Sequence, residues 1–313
     1  MSEYNYHPVV CFGETLWDML PSGKQAGGAP MNVAYHLQKL GKNPAVISKI
    51  GNDALGKELI NLLSNRGICT GYFQVDYIHP TSVVDAVAKN ALEMTYTIKE
   101  DVAWDYIELQ AELIYLVQQA DYFVFGSLAT RSAQTYITLK QLLRCAKKKV
   151  FDVNLRPPFY DQAVIEEFLH EADIVKLNAD ELHLISGWYS SIKDETECIR
   201  ILKQRFQIET LIVTKGANGA ILNRGNEWSH CNGLSVIVAD TVGSGDAFLA
   251  AVISKLADGA GTEEILHYAN QLAAFIATQK GACPEYQLSD LTYLTTGAER
   301  TTSITRKDKN FIA

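Results

Sequence analysis

Short, near-continuous apolar runs alternate along most of the chain with segments whose apolar positions recur at helical spacing. The runs at 8–13 (PVVCFG), 45–50 (AVISKI), 121–126 (DYFVFG), 149–153 (KVFDV), 173–177 (DIVKL) and 210–214 (TLIVT) predict strands covered on both faces. Helical spacing predicts helices over 30–40, 54–66, 108–119, 132–146, 161–170, 179–186, 194–205, 245–257 and 263–279. The alternation predicts an α/β fold with a mainly parallel central sheet and helices on both faces. Two stretches break the rhythm. Residues 14–29 and 72–104 are strand-like without crossover helices, and TSVVDAVAKNALEMTYTIKED reads as a hairpin turning near Lys89-Asn90. They predict a small antiparallel β-flap on a single domain of residues 1–300, with 301–313 as a tail.

Composition narrows the picture. A chain of 313 residues that is 47% hydrophobic and 20% charged can bury a large core, which argues against disorder. Its net charge of −8, from 28 basic and 36 acidic residues, predicts no nucleic-acid or anionic-membrane partner. The one basic run, Lys147-Lys148-Lys149, reads as the close of a helix. Six dispersed cysteines with no C-x-x-C predict free thiols in a reducing cytoplasm. The apolar run near the N-terminus is too short for a signal peptide, and no stretch reaches 18 apolar residues.

Phosphate chemistry is suggested at one loop and excluded at another. In GNDALGKE (51–58), Glu58 stands where a P-loop needs a magnesium-binding hydroxyl, so the segment reads as a turn and helix start. In ADTVGSGDAFLAAVI (239–253), Gly243 and Gly245 permit a tight turn into a helix whose first amides, with Ser244 and Asp246, would form an anion hole. By local spacing, Asp246 fits a first-turn acid as well as a base beside a transferring phosphoryl group. Upstream, GGAPMNVAYHLQKLG (27–41) puts Gly28, where backbone would approach a ligand, and Asn32, able to bind a hydroxyl pair, at another helix start.

Together these stretches resemble the two signatures of the ribokinase-like (PfkB) carbohydrate kinases, and the resemblance extends over about residues 8 to 290. FDVNLRPPFY (151–160), VKLNADEL (175–182), VTKGANGA (213–220) and NQLAAFIATQKGACP (270–284) are further family-like pieces. The resemblance implies an ATP-dependent sugar kinase with a β-flap lid over the sugar. It makes Asp246 the catalytic base and the amides of Gly243, Ser244, Gly245 and Asp246 the anion hole. Asn178 and Glu181 match an N-x-x-E element that organises magnesium and its waters around ATP, and they also read as a capping box. Thr214, Gly216 and Gly219 match the turn along the nucleotide phosphates and ribose; Asn270 and Gly281 fall where the family holds adenosine. Carbonyls near Asp240 and Val242 would hold a monovalent cation such as K+, and relatives that pair through their lids imply a homodimer.

Within the family, GETLWDMLP (13–21) before GGAPxNVA is most similar to bacterial fructokinases, which implies D-fructose as acceptor through its 6-hydroxyl. Asp18 would then line the sugar pocket with Gly28 and Asn32, with Tyr96 or Trp104 stacking on the sugar. Arg156 matches an arginine near the sugar or the moving phosphate. A 2-keto-3-deoxygluconate or ribose kinase shares nearly all of these motifs, and a silent sugar sensor on the same fold would not need Asp246. Two departures stand out: Ser244 replaces the usual alanine, and GACPEYQ lacks a second proline, which bears on the adenine pocket.

Overall fold

The structure, a computed structural model, describes residues 6–20, 23–88 and 94–291. The elements are, in chain order, β1 (Val9–Phe12), β2 (Leu16–Leu20), β3 (Gly23–Gly27), α1 (Ala29–Lys39), β4 (Ala45–Gly51), α2 (Ala54–Asn65), β5 (Phe73–Asp76), β6 (Ser82–Ala88), β7 (Met94–Ile98), α3 (Ala111–Gln119), β8 (Tyr122–Gly126) and α4 (Ala133–Leu143). There follow β9 (Lys149–Asp152), α5 (Gln162–Glu171), β10 (Ile174–Asn178), α6 (Ala179–Gly187), α7 (Glu195–Phe206), β11 (Thr210–Thr214), β12 (Ala220–Arg224), β13 (Glu227–Cys231), α8 (Ser244–Ala257) and α9 (Thr262–Ala277).

Nine strands form the large sheet in the order β13-β12-β11-β10-β9-β8-β1-β4-β5. The seven from β11 to β5 are parallel and the last two antiparallel. Alternation along each strand divides the core between the two faces. Val9 and Cys11 pack with α1, α2, α8 and α9, whereas Val10 and Phe12 pack with α3 to α7. Helices on both faces explain why the strands are apolar throughout.

The second sheet has the order β3-β2-β6-β7, with β2 parallel to β6 and the outer pairs antiparallel. Its hairpin strands pair Ala88 with Met94, and the turn expected at Lys89-Asn90 lies outside the described residues, as does the tail 301–313. The stretch 72–104 is not all flap. Its first strand, β5, joins β4 at the edge of the large sheet, where Gln74 and Asp76 are buried as polar anchors.

Two other expectations change, and one about the 51–58 loop holds. The lysine run does not close a helix: α4 ends at Leu143, Lys149 opens β9, and Lys147, Lys148 and Lys149 pair with Asp121, Glu209 and Glu171. Strands β12 and β13 are additions; β13 is a half-exposed edge strand with little apolar signal. In the P-loop-like segment Asp53 caps α2, Thr81 fills the space beside Gly51, and Glu58 pairs with Lys24, so no phosphate cradle remains.

Candidate active site

Parallel sheets present their ligand-facing groups at the carboxyl ends of the strands. Here Asp152, Asn178 and Thr214 are the last residues of β9, β10 and β11, and Glu14 follows β1 by two residues. Facing them is the start of α8. Gly243 holds the left-handed conformation (φ 77°) as its N-cap, which lets the chain reverse into the helix. The Ser244 hydroxyl donates to the Thr241 carbonyl at 2.8 Å, and its amide turns back to the same oxygen at 3.3 Å. The amides of Gly245 and Asp246 have no acceptor among the described residues, so these two are the open donors of the expected anion hole.

The two motif helices meet at one bond. The Asn32 Nδ2 amide, 5% exposed on α1, donates to Asp246 Oδ2 at 2.8 Å across 214 positions of sequence. Burial pushes Asp246 up to about 6, and Asp152 adds to the push; the Asn32 amide, Lys176 and Arg156 oppose it. A carboxylate with that value is ionised at neutral pH yet a better base than an exposed one.

Beneath Gly245 lies a charged pair that the motifs did not assign. Lys176 Nζ, on β10, is 2.8 Å from Asp152 Oδ1, and both side chains are buried. Burial works against the lysine's charge, but Asp152, Asp246 and Glu181 outweigh it and raise its pKa. Glu14 is a second unassigned group. Its Oε1 accepts from the Ala29 amide at the start of α1, its Oε2 has no partner among the described residues, and burial pushes it up to about 7. A carboxylate at a strand exit was the available signal for both acids.

The expected site residues fall into three groups. On the sugar side, Asp18 is half-buried against Gly27, and burial pushes it up to about 6. Gly28 is a glycine for an internal reason: with φ 110°, a Cβ there would lie 2.3 Å from the Glu14 carbonyl oxygen. Trp104 is fully buried under the Arg131 guanidinium, 4.0 Å from its ring, so it cannot stack on a sugar; Tyr96 lies outside the described side chains. Arg156 is exposed and makes no ion pair among the described residues.

On the nucleotide side, Asn178, Thr214 and Gly216 line one cleft of about 460 Å³ with Lys215. The capping box is present in both directions at 2.8 Å, and Glu181 Oε1 also accepts from the Leu155 amide. Each Glu181 oxygen thus takes one amide and keeps a lone pair, which fits a magnesium-bound water better than the ion. Gly219 makes room for the Cys231 carbonyl, and Asn270 donates to the Asn232 carbonyl at 2.9 Å; both tie β13 in place.

The third group joins the other two. Asp240 accepts the amides of Val242 and Gly281 at 3.0 Å, while the carbonyls of Asp240 and Val242 have no donor among the described residues, as a cation site requires. Gln25, directly opposite Asp18 in the β2–β3 register, covers Gly281 so closely that a Cβ there would lie 2.1 Å from its Oε1. Gly281→Ala is therefore expected to raise the KM for sugar by about 10-fold, the equivalent of ~1.4 kcal/mol of lost docking. Gly281 also sits at φ 76°, where alanine is strained whatever the space, so Gln25→Ala on top of it should recover only the part of the loss due to the Gln25 side chain; steady-state kinetics of the single and double variants read the difference.

Known proteins are similar to this chain in sequence and in fold. Fructokinase of Salmonella typhimurium is 30% identical over 300 residues, 88% of this chain and 94% of its own. Among solved structures, the fructokinase of Xylella fastidiosa with bound ATP superposes with a TM-score of 0.82 at 22% identity, covering 94% of this chain and 99% of that one. A double mutant of Vibrio cholerae fructokinase, in a fructose, ADP and potassium ion bound form, gives 0.77 at 24% identity over 91% and 97%. At these identities the two structures speak for the fold. The profile described as pfkB family carbohydrate kinase matches residues 12–287, a span that holds both motif helices, the bond between them and the charged groups around it. On that match the chain belongs to the pfkB family of carbohydrate kinases.

Proposed function

We propose that this carbohydrate kinase moves the γ-phosphoryl group of ATP to the primary 6-hydroxyl of D-fructose. The observation that carries the reading is the Asn32–Asp246 hydrogen bond, which joins an acceptor-side helix to a phosphate-side helix start in one site. Asp246 takes the hydroxyl proton as the sugar oxygen forms its bond to phosphorus and the bond from phosphorus to the ADP oxygen breaks. The Gly245 and Asp246 amides, at the positive end of α8, bear the charge of the moving group, with Gly243 and Ser244 shaping their turn. Arg156, free of ion pairs among the described residues, can turn its guanidinium toward the same oxygens.

Asp18, Asn32 and the backbone at Gly28 hold the sugar under the small sheet, which closes to exclude water. ATP lies along Asn178, Thr214, Gly216 and Gly219 toward Asn270 and Gly281. Magnesium, held through waters at Asn178 and Glu181, would supply charge neutralisation on the phosphates; the carbonyls of Asp240 and Val242 would hold K+. A cytoplasmic homodimer completes the reading. Its supports are six free cysteines and a small sheet whose outer strands, β3 and β7, have no further partner strand among the described residues.

Fructose is favoured by the fructokinase relatives. A sugar-acid acceptor such as 2-keto-3-deoxygluconate is the second reading, because Arg156, without an ion pair among the described residues, acts on Asp18, whereas Lys176 is committed to Asp152. ATP consumption measured over fructose, ribose, 2-keto-3-deoxygluconate and nucleosides should give the highest kcat/KM with fructose. A fructose rate no better than the rest would sink the assignment.

A further inference from the structure

Asn32 reaches Asp246 with its amide nitrogen, and its amide oxygen is engaged as well. Cys283 Sγ lies 3.3 Å from Asn32 Oδ1, with the two side chains 8% and 5% exposed. An asparagine amide can face a neighbour by either end, and the two ends do opposite things to a carboxylate. The NH2 donates to it and favours ionisation; the carbonyl oxygen repels it and favours protonation. A thiol discriminates between the two ends because it donates to oxygen and is a poor acceptor for NH2. We infer that Cys283 is a positioning residue for the base, holding the Asn32 amide so that its nitrogen, not its oxygen, faces Asp246.

The thiol can do this because its own place is fixed. The Tyr35 hydroxyl donates to the Pro284 carbonyl at 2.6 Å. His36 bonds the Ala282 carbonyl through Nε2 at 2.9 Å and the Tyr286 hydroxyl through Nδ1 at 3.1 Å. Asn32, Tyr35 and His36 stand three and four positions apart on one face of α1, so a single helix face grips residues 282–286. Burial holds His36 neutral, which leaves one ring nitrogen to donate to Ala282 and the other to accept from Tyr286. Burial also pushes the Cys283 thiol up, so it keeps the proton it donates.

The inference rests on the reading of Asp246 as base, and its test separates the two. The other charged groups that act on Asp246 are Asp152 on β9, Lys176 on β10, Arg156 after β9 and Glu14 after β1, and none changes when residue 283 is replaced. The measurement is kcat/KM against pH for Cys283→Ala and Cys283→Ser. Without a donor, Cys283→Ala should move the acid limb up by about 0.5–1 pH unit, lowering kcat/KM about 2- to 5-fold at pH 6 and much less at pH 8. Serine restores an O–H donor and should keep the original limb. An alanine limb that coincides with the wild type, or a serine limb that moves as far as alanine, overturns the inference. Asp246→Asn is assayed beside them. If it retains turnover, the base reading falls and takes the inference with it; if it loses turnover while the alanine limb stays in place, only the thiol's role is refuted.

Discussion

Replacing Asp246 by asparagine is expected to lower kcat by about 10²- to 10⁴-fold while sugar binding is largely kept. The substitution preserves size, the first turn of α8 and an oxygen that can still accept from Asn32 Nδ2. What it removes is the basic lone pair. The pH dependence sharpens the test. With Asp246 near 6, wild-type turnover should fall as pH drops through about 6 and the carboxylate protonates, and that limb should be absent in the variant.

The same carboxyl affects stability. Its folded pKa lies above its unfolded value near 4, so its stabilising contribution is present below about pH 4 and lost as pH rises through 6. Asparagine carries no such dependence. The variant should therefore gain about 1–2 kcal/mol on the wild type at pH 7 relative to pH 4, a range reduced from the full shift because the side chain is only half-buried. Turnover against pH and thermal unfolding at the two pH values check both parts. Unchanged turnover would refute the catalytic role, and an unchanged stability difference would show that Asp246 is better solvated than its surroundings imply.

The fold was legible where apolar periodicity was strong. All six expected strands lie in the large sheet, and each expected helix is present with ends displaced by a few residues. What periodicity misses are strands whose place depends on a partner far away. β5 carries a buried Gln74 and Asp76 at the sheet edge, and β13 is half-exposed, so neither differs in pattern from a loop. The site divides in the same way. Asn32 and Asp246 stood out because glycines and helix starts flank them, and the capping box of Asn178 and Glu181 is a local arrangement. Glu14, Asp152, Lys176 and Cys283 lack such markers. Their significance comes from neighbours contributed by other strands and helices, which no spacing rule records. Trp104 shows the converse error: an aromatic expected on the flap is buried in internal packing instead of facing a ligand.

Gly243→Ala should be the most damaging change that leaves every catalytic side chain in place, with kcat reduced about 10²-fold or more. The residue sits at φ 77°, and a Cβ on it would lie 2.5 Å from the Ala282 Cα and 2.8 Å from the Ala282 carbonyl oxygen. Ala282 cannot retreat, because its carbonyl is bound by His36 and its neighbours by Tyr35 and Asp240. The helix start must move instead, and with it the Gly245 and Asp246 amides proposed to face the moving phosphoryl group. Here a second substitution should not help. Ala282→Gly removes a Cβ but leaves the Cα and carbonyl in place, so the double variant should be as slow as the single one. That outcome contrasts with Gly281, which shares the left-handed φ but whose contact is with the end of the Gln25 side chain, so that removing Gln25 should restore part of the function. Single-turnover rates for Gly243→Ala with and without Ala282→Gly test the contrast. Recovery in the double variant would mean that the loop is not pinned by the 281–286 backbone, and the anion hole would then owe its shape to something other than this contact.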